Sequence, residues 1–347
     1  MDEDIQMIAE AAGRIFADLA DPQTLNAARD DAWRAPLWAA LEEAGLTRAW
    51  VPEDKGGAGL ALDGGFEILR IAGQYACPVA LAETMLAGWA MAEASLDVPE
   101  GVIALAPVRT RDQIVLANQV VNGTARAVPH ADEASLLVLL VEDQLMTFGP
   151  GDYQVSARST DMGGARADVT LTDARPQIMA DMPGGSAAVE RMGAVARACQ
   201  MTGALETALA IASDYSGERE AFGRKIGKFQ AVQQNLAQLA GEVAAALISS
   251  GSAAETLARE NHRTDGAFLE VAAVKIRCGE AVEKGAAIAH QAMGAIGWTQ
   301  EHVLQRFTRR MWGWREDFGS EAEWAVRLGE RVAAKGADQI WPMLTTR

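Results

Sequence analysis

Positive charge is scarce in this chain of 347 residues: 31 lysines and arginines stand against 47 aspartates and glutamates, a net charge of −16. A nucleic-acid surface needs a clustered excess of Lys and Arg, so no nucleic-acid partner is expected, and the acidic surface mainly keeps the protein in solution. Cysteine is scarcer still. Cys77, Cys199 and Cys278 are odd in number and far apart, which excludes a disulfide framework and a CxxC metal pair. With only four scattered histidines, no structural zinc site is expected either. Long hydrophobic runs are missing as well: the most apolar stretch, Ala134 to Val141, is far too short to cross a bilayer. The N-terminus, Met1 to Asp4, is acidic where a secretory signal would be basic. The expected location is the cytoplasm.

What the chain has in quantity is apolar periodicity. Hydrophobic residues make up 49% of it, enough for more than one core, and the length suggests two or three domains. From Asp4 to about Leu96 the pattern is helical: Ile8, Ala11, Ile15 and Leu19 recur at helical spacing, and Trp38 and Leu41 continue it to a stop at Gly45. One interruption, Val51 to Leu62, carries a proline and three glycines and reads as a loop. Between about Gly101 and Pro176 the texture changes to short apolar runs: Val102–Leu105, Gln113–Ala117, Ser135–Val141, Gln144–Phe148 and Asp168–Leu171. With Asn122-Gly123 and Pro150-Gly151 as turns, this reads as a small all-β domain.

From about Gly185 the helical period returns. Ala194, Ala198, Met201, Leu205, Ala208 and Ala212 share one face. Phe229, Val232, Leu236, Leu239, Val243 and Leu247 form a second stripe, and Val271, Val274, Cys278, Ala281 and Ile288 a third. A shorter helix from Glu321 to Ala334 is expected to complete a four-helix bundle. The expected domains are residues 1–100, 101–184 and 185–347.

Two stretches carry more than core. Tyr215 to Gln230 joins two helical patterns and sets Arg219 beside Phe222 and Gly223; an arginine fork fits a phosphate, and glycine lets backbone approach a ligand closely. Gln291 to Glu301 ends the third long helix on Gly294 and Gly297. Both stretches resemble signatures of the acyl-CoA dehydrogenase family. The first matches its flavin-contacting turn at Tyr215, Arg219, Phe222, Gly223, Phe229 and Gln230, and the second its adenosine-end motif at Gln291 and Gly294. The loop Pro52-Glu-Asp-Lys-Gly-Gly-Ala-Gly59 resembles the family's Pro-Glu-x-x-Gly-Gly-x-Gly, Cys77-Pro78 and Glu83-Thr84 match its next helices, and Val121 to Asp132 resembles a hairpin of its middle domain. The resemblance covers essentially the whole chain. It implies a mostly α fold with a β insert: an N-terminal helical domain, a middle β-barrel and a C-terminal four-helix bundle. It also implies FAD shared across a subunit interface, an acyl-CoA substrate and an electron-transferring flavoprotein as acceptor.

The resemblance breaks where catalysis would sit. The family's base lies in a Glu-Gly-Thr or Glu-Gly-Ser tripeptide, and here that position is Phe318-Gly319-Ser320. A phenyl ring takes no proton. The alternative base position of some members falls on Gly193, which has no side chain. Glu190, Glu316, Asp317 and Glu321 lie near in sequence but read as solvated or capping residues. The motifs that hold the flavin ring, Thr-Glu-Pro with Gly-Ser-Asp and Trp-Ile-Thr, are missing along Ala104 to Gln113 and beyond. Trp312, Trp314 and Phe318 are expected to crowd or fill the acyl pocket. The reading is a heteromer in which this chain lends phosphate-end contacts to FAD held on a homologous partner, as in the degenerate subunit of bacterial α2β2 enzymes of the steroid-degrading type. Two alternatives stay open: a homo-oligomeric flavoenzyme with a displaced base such as Glu316, and a catalytically silent scaffold or acyl-CoA-binding protein.

Overall fold

The computed structural model of the chain describes residues 3–160, 164–260 and 264–345. The N-terminal part is helical: α1 (Glu3–Leu19), α2 (Pro22–Ala27), α3 (Arg34–Glu43), α4 (Leu62–Gln74) and α5 (Leu81–Glu93). The stripe expected on α1 is only the flank of its buried face. Ala9, Ala12, Phe16 and Ala20 are buried, while Ile8, Ile15 and Leu19 pack on the rim, because the small residues let the helix sit close and bring Phe16 to the centre.

Eight strands follow: β1 (Ile103–Ala106), β2 (Ile114–Ala117), β3 (Val120–Pro129), β4 (Leu136–Val141), β5 (Gln144–Phe148), β6 (Gln154–Val155), β7 (Arg166–Ala174) and β8 (Ile178–Asp181). They form two four-stranded sheets, ordered β1-β4-β5-β8 and β2-β3-β7-β6. The expected barrel is not closed. The sheets stack on a shared core of residues such as Val121, Leu137, Phe148 and Val169, and among the described residues no ladder joins the edge strands of one sheet to the other. The β1–β4 pair is parallel, and its side chains alternate between two cores: Ile103, Leu105, Val138 and Leu140 face the helices, Ala104, Ala106, Leu137 and Leu139 the second sheet. Burial on both faces explains why Leu136–Val141 is apolar without a break. Asn122-Gly123 is not a turn but lies inside β3 at a register shift; the reversal is at Asn118 and Gln119, both at positive φ.

The rest is helical: α6 (Gly185–Glu218), a two-residue ribbon β9 (Glu220–Ala221) and β10 (Arg224–Lys225), then α7 (Gln230–Arg259), α8 (Asp265–Met293), α9 (Leu304–Glu316), α10 (Glu321–Lys335) and α11 (Ile340–Thr345). Helix α6 is the axis of the molecule, buried on all sides from Met192 to Leu205, as a helix packed all round must be. It touches α4 at two glycines: a β-carbon at Gly73 would fall 2.2 Å from the Gln200 carbonyl oxygen, and one at Gly203 would fall 1.9 Å from that of Arg70. The expected fourth helix is present as α10 and packs on α8, while α9 adds a further helix against α6 and α8. On α7 the expected core position Leu247 is exposed and Ala246 is buried instead. No helix of the described residues is long and apolar enough to cross a membrane.

Candidate functional site

The end of α6 and the end of α8 meet. Arg219 caps α6, its N–H donating to the Tyr215 carbonyl at 2.8 Å, and the chain then reverses through Phe222 (φ 52°) and Gly223 (φ 75°). Two successive left-handed residues make the reversal whose twist suits a ribbon, which is why glycine stands at one of them. Ile226 N–H donates to the Arg219 carbonyl at 2.8 Å and closes the corner. On the other side α8 ends at Met293, and Gly294 takes φ 65°. Between them lies a surface cavity of about 460 Å³ lined by Tyr215, Arg219, Ile226, Met293, Gly294 and Ile296, among others, with no carboxylate in its wall. Of the residues singled out from sequence, Arg219 and Gly294 are brought together here. Phe222, Gly223, Gln230 and Gln291 are exposed and lie outside the lining. Phe222 is 95% exposed, its ring meeting Phe229 edge-on at 6.2 Å.

The turn after Gly294 is braced from below. Trp298 stacks on buried His290 at 3.7 Å, with Trp312 at 6.3 Å on the same histidine. Burial pushes the His290 pKa down to about 4, and its Nε2 lies 2.9 Å from Thr308 Oγ1. Trp312 thus belongs to this stack and not to the crowding expected around Phe318.

At the other end of the helical core, Phe318 and Gly193 occupy one space. A β-carbon on Gly193 would fall 2.5 Å from the Phe318 ring. Phe318 is buried at φ 54°, an outlier for a bulky residue, and is tied on both sides. Its N–H donates to the Val108 carbonyl at 2.8 Å, and its carbonyl accepts from Trp324 Nε1 at 2.9 Å. Lys275 Nζ donates to the Trp314 and Arg315 carbonyls at 3.0 and 2.8 Å, fixing the end of α9 just before it.

Beside Phe318 lies a buried ion network. Asp317, fully buried, accepts two bonds from Arg166 at 2.8 Å each and one from Arg197 Nε at 3.0 Å. Arg197 also reaches Gln200 at 2.7 Å and pairs with Glu83. Burial alone would raise the Asp317 pKa, but the Arg166 and Arg197 guanidiniums outweigh it and hold the carboxyl well below its usual range. Glu83 is lowered in the same way, by Arg197 against its burial. Such carboxylates are acceptors already spent on partners. The other nearby acids are engaged too: Glu190 with Arg327 at 2.8 Å, Glu321 with Arg315, and the half-exposed Glu316 facing Arg109 at 3.7 Å.

Residues 185–321 match the acyl-CoA dehydrogenase C-terminal domain family. Over 334 residues the chain is 27% identical to acyl-CoA dehydrogenase IpdE2 of Mycobacterium tuberculosis, covering 95% of this chain and 98% of that one. The C-terminal part of the chain thus carries the acyl-CoA dehydrogenase domain, and the chain as a whole is similar to acyl-CoA dehydrogenases. Its fold is similar to that of a chain in the ChsE4–ChsE5 complex from M. tuberculosis, with a TM-score of 0.86 at 21% identity over 97% of this chain and 99% of that one. It is also similar to a chain of the Tcur3481–Tcur3483 steroid acyl-CoA dehydrogenase variant, at 0.83 and 23% over 96% and 98%.

Within an acyl-CoA dehydrogenase fold, the segment after β1 faces the α9–α10 turn, and here the two are stitched together. Besides the Phe318–Val108 bond, Thr110 Oγ1 and Arg111 Nε donate to Glu323 at 2.9 and 3.0 Å. A cavity of about 330 Å³ remains, lined by Pro107, Val108, Arg109, Glu190, Phe318 and Arg327 among others. Sequence reading missed the ion network. It placed Asp317 among solvated or capping residues, whereas the structure buries it because two arginines converge there. The signal available was Arg197: a charged residue in the middle of an alanine stripe, one helical turn after Gly193, needs a buried counter-charge.

The Gly193–Phe318 contact gives a direct test. Gly193→Ala forces the ring aside and destabilises the chain by about 1–3 kcal/mol. In a Phe318→Leu background, where ring carbons are gone, the same alanine costs less. Urea unfolding of the four proteins measures the coupling, and strictly additive values would remove the contact from the argument.

Proposed function

We propose that this acyl-CoA dehydrogenase-like chain is the non-catalytic half of a heteromer, lending the Arg219 corner to an FAD whose ring and base belong to a homologous partner subunit. The observation that carries the reading is Phe318 seated on Gly193: both positions at which the family holds a base are consumed by one apolar contact. The residues present suit the phosphate end of FAD. A cavity of about 460 Å³ offers Arg219 and the open backbone of Gly294, where a β-carbon would meet nothing within 4 Å, and no acid lines it. Arg219 would pair with the pyrophosphate, Gly294 would let it approach, and exposed Phe222 would pack against the partner. FAD, when bound, accepts the hydride from the β-carbon of the acyl-CoA thioester. Among the described residues neither base position supplies a proton acceptor for the α-carbon, so in the complex the chain's residues bind and orient. The resemblance to mycobacterial IpdE2 and to structures of a steroid acyl-CoA dehydrogenase and of ChsE4–ChsE5 supports a steroid-derived or related acyl-CoA as substrate class and a related chain as partner. An electron-transferring flavoprotein would then take the electrons, and the cytoplasm is the expected location.

Co-expression with the product of an adjacent gene, followed by a flavin count, tests the reading. The pure chain is expected to be colourless and inactive, and the complex yellow with less flavin than total chains. A yellow, acyl-CoA-reducing preparation of the single chain overturns it.

A further inference from the structure

A second cavity, sharing no lining residue with the Arg219 corner, concentrates positive charge in this acidic protein. Of about 390 Å³, it lies where the α2–α3 connection, Pro78, the segment before β7 and the start of α9 converge. Six arginines line it, Arg29, Arg34, Arg158, Arg306, Arg309 and Arg310, against two aspartates, Asp30 and Asp31. Arg34 and Arg158 are paired with Asp31 and Asp132 at 3.3 and 3.5 Å. Arg306 and Arg310 have no carboxylate partner among the described residues. Arg306 Nη1 donates only to the Leu25 carbonyl, at 3.4 Å, and its buried Nε has no acceptor. Arg310 is 7% exposed and donates from Nη1 to the Cys77 carbonyl at 2.9 Å.

The arrangement is unfavourable as it stands. Arg306, Arg309 and Arg310 share one face of α9 at spacings of three and four, where like charges repel, and they sit in its first two turns, where the helix dipole is positive. Burial, aided by Arg306, pushes the Arg310 pKa down to about 9. A buried guanidinium that bonds only to carbonyls, with Glu83 as a more distant counter-charge, leaves much of its desolvation uncompensated. We propose that this cavity is a binding site for a phosphate-bearing small molecule, held by Arg29, Arg306 and Arg310. Planar guanidiniums converging from two directions match phosphate oxygens in two-point contact, and the volume takes a pyrophosphate-sized group with room beside it.

The test is calorimetric titration of the full chain with inorganic pyrophosphate at ionic strength fixed by sodium chloride. Saturable binding is expected, weakened by about tenfold or more in the Arg29→Gln/Arg306→Gln double variant, which leaves buried Arg310 in place. The same binding is expected to persist in Arg219→Ala. ADP and coenzyme A, run in parallel, identify the source: affinity equal to that of pyrophosphate marks phosphate alone as the recognised group, and tighter binding marks a nucleotide. Absence of binding, binding unchanged in the double variant, or binding lost in Arg219→Ala overturns the proposal.

Discussion

Asp317→Ala is expected to lower the unfolding free energy by about 3–5 kcal/mol, the largest stability loss of any single side chain at the α9–α10 turn. Removing this carboxylate leaves Arg166 and Arg197 facing each other inside the protein with Glu83, among the described residues, as their one counter-charge. The pair cannot be rescued by water, since Arg197 and Asp317 are sealed from it. Asp317→Asn, which keeps two polar atoms and loses the charge, falls between wild type and alanine. Urea unfolding monitored by circular dichroism reads both, and a loss below about 1 kcal/mol for alanine shows that the network is not balanced on Asp317. Because the acid is buried among arginines and has no path to a substrate, the same variants leave the catalytic rate constant of an assembled, folded complex unchanged.

The second large effect is on cofactor retention. In a complex with the partner subunit, Arg219→Ala weakens flavin binding by about tenfold to a hundredfold, the equivalent of one charge-assisted contact of about 1.5–3 kcal/mol. Among the described residues Arg219 has no ion pair, so its removal costs little folding stability, and the two readouts separate. Fluorescence titration of the apo-complex with FAD measures the change. Unchanged affinity takes Arg219 out of the flavin site. Phe222→Ala reports on the interface instead: a side chain 95% exposed in the single chain can affect assembly only if the partner covers it.

The helices that matter most were legible because their patterns are long and strict. The α6 stripe from Ala194 to Ala212 is buried throughout, and the Glu321 helix starts where Ser320 and Glu323 form a reciprocal cap. Strands were harder to place. The short β6 and β8 are mostly exposed and carry no alternation to read, and Asn122-Gly123 resembles a turn locally but is held inside β3 by its pairing with β7. At the site, Phe318 and Gly193 could each be marked from sequence as lacking a base. That they touch could not, because the contact depends on how the α9–α10 turn leans against α6. The arginine cavity was invisible for the same reason: Arg29 and Arg158 are far from α9 in sequence, and only folding brings all of them around one cavity.

The ring over Gly193 has a consequence for restoring a base. A carboxylate at position 318 alone would set an acid against the backbone of α6, beside Asp317, whose charge is already held by Arg166 and Arg197. A single substitution at position 318 therefore does not by itself make a working base.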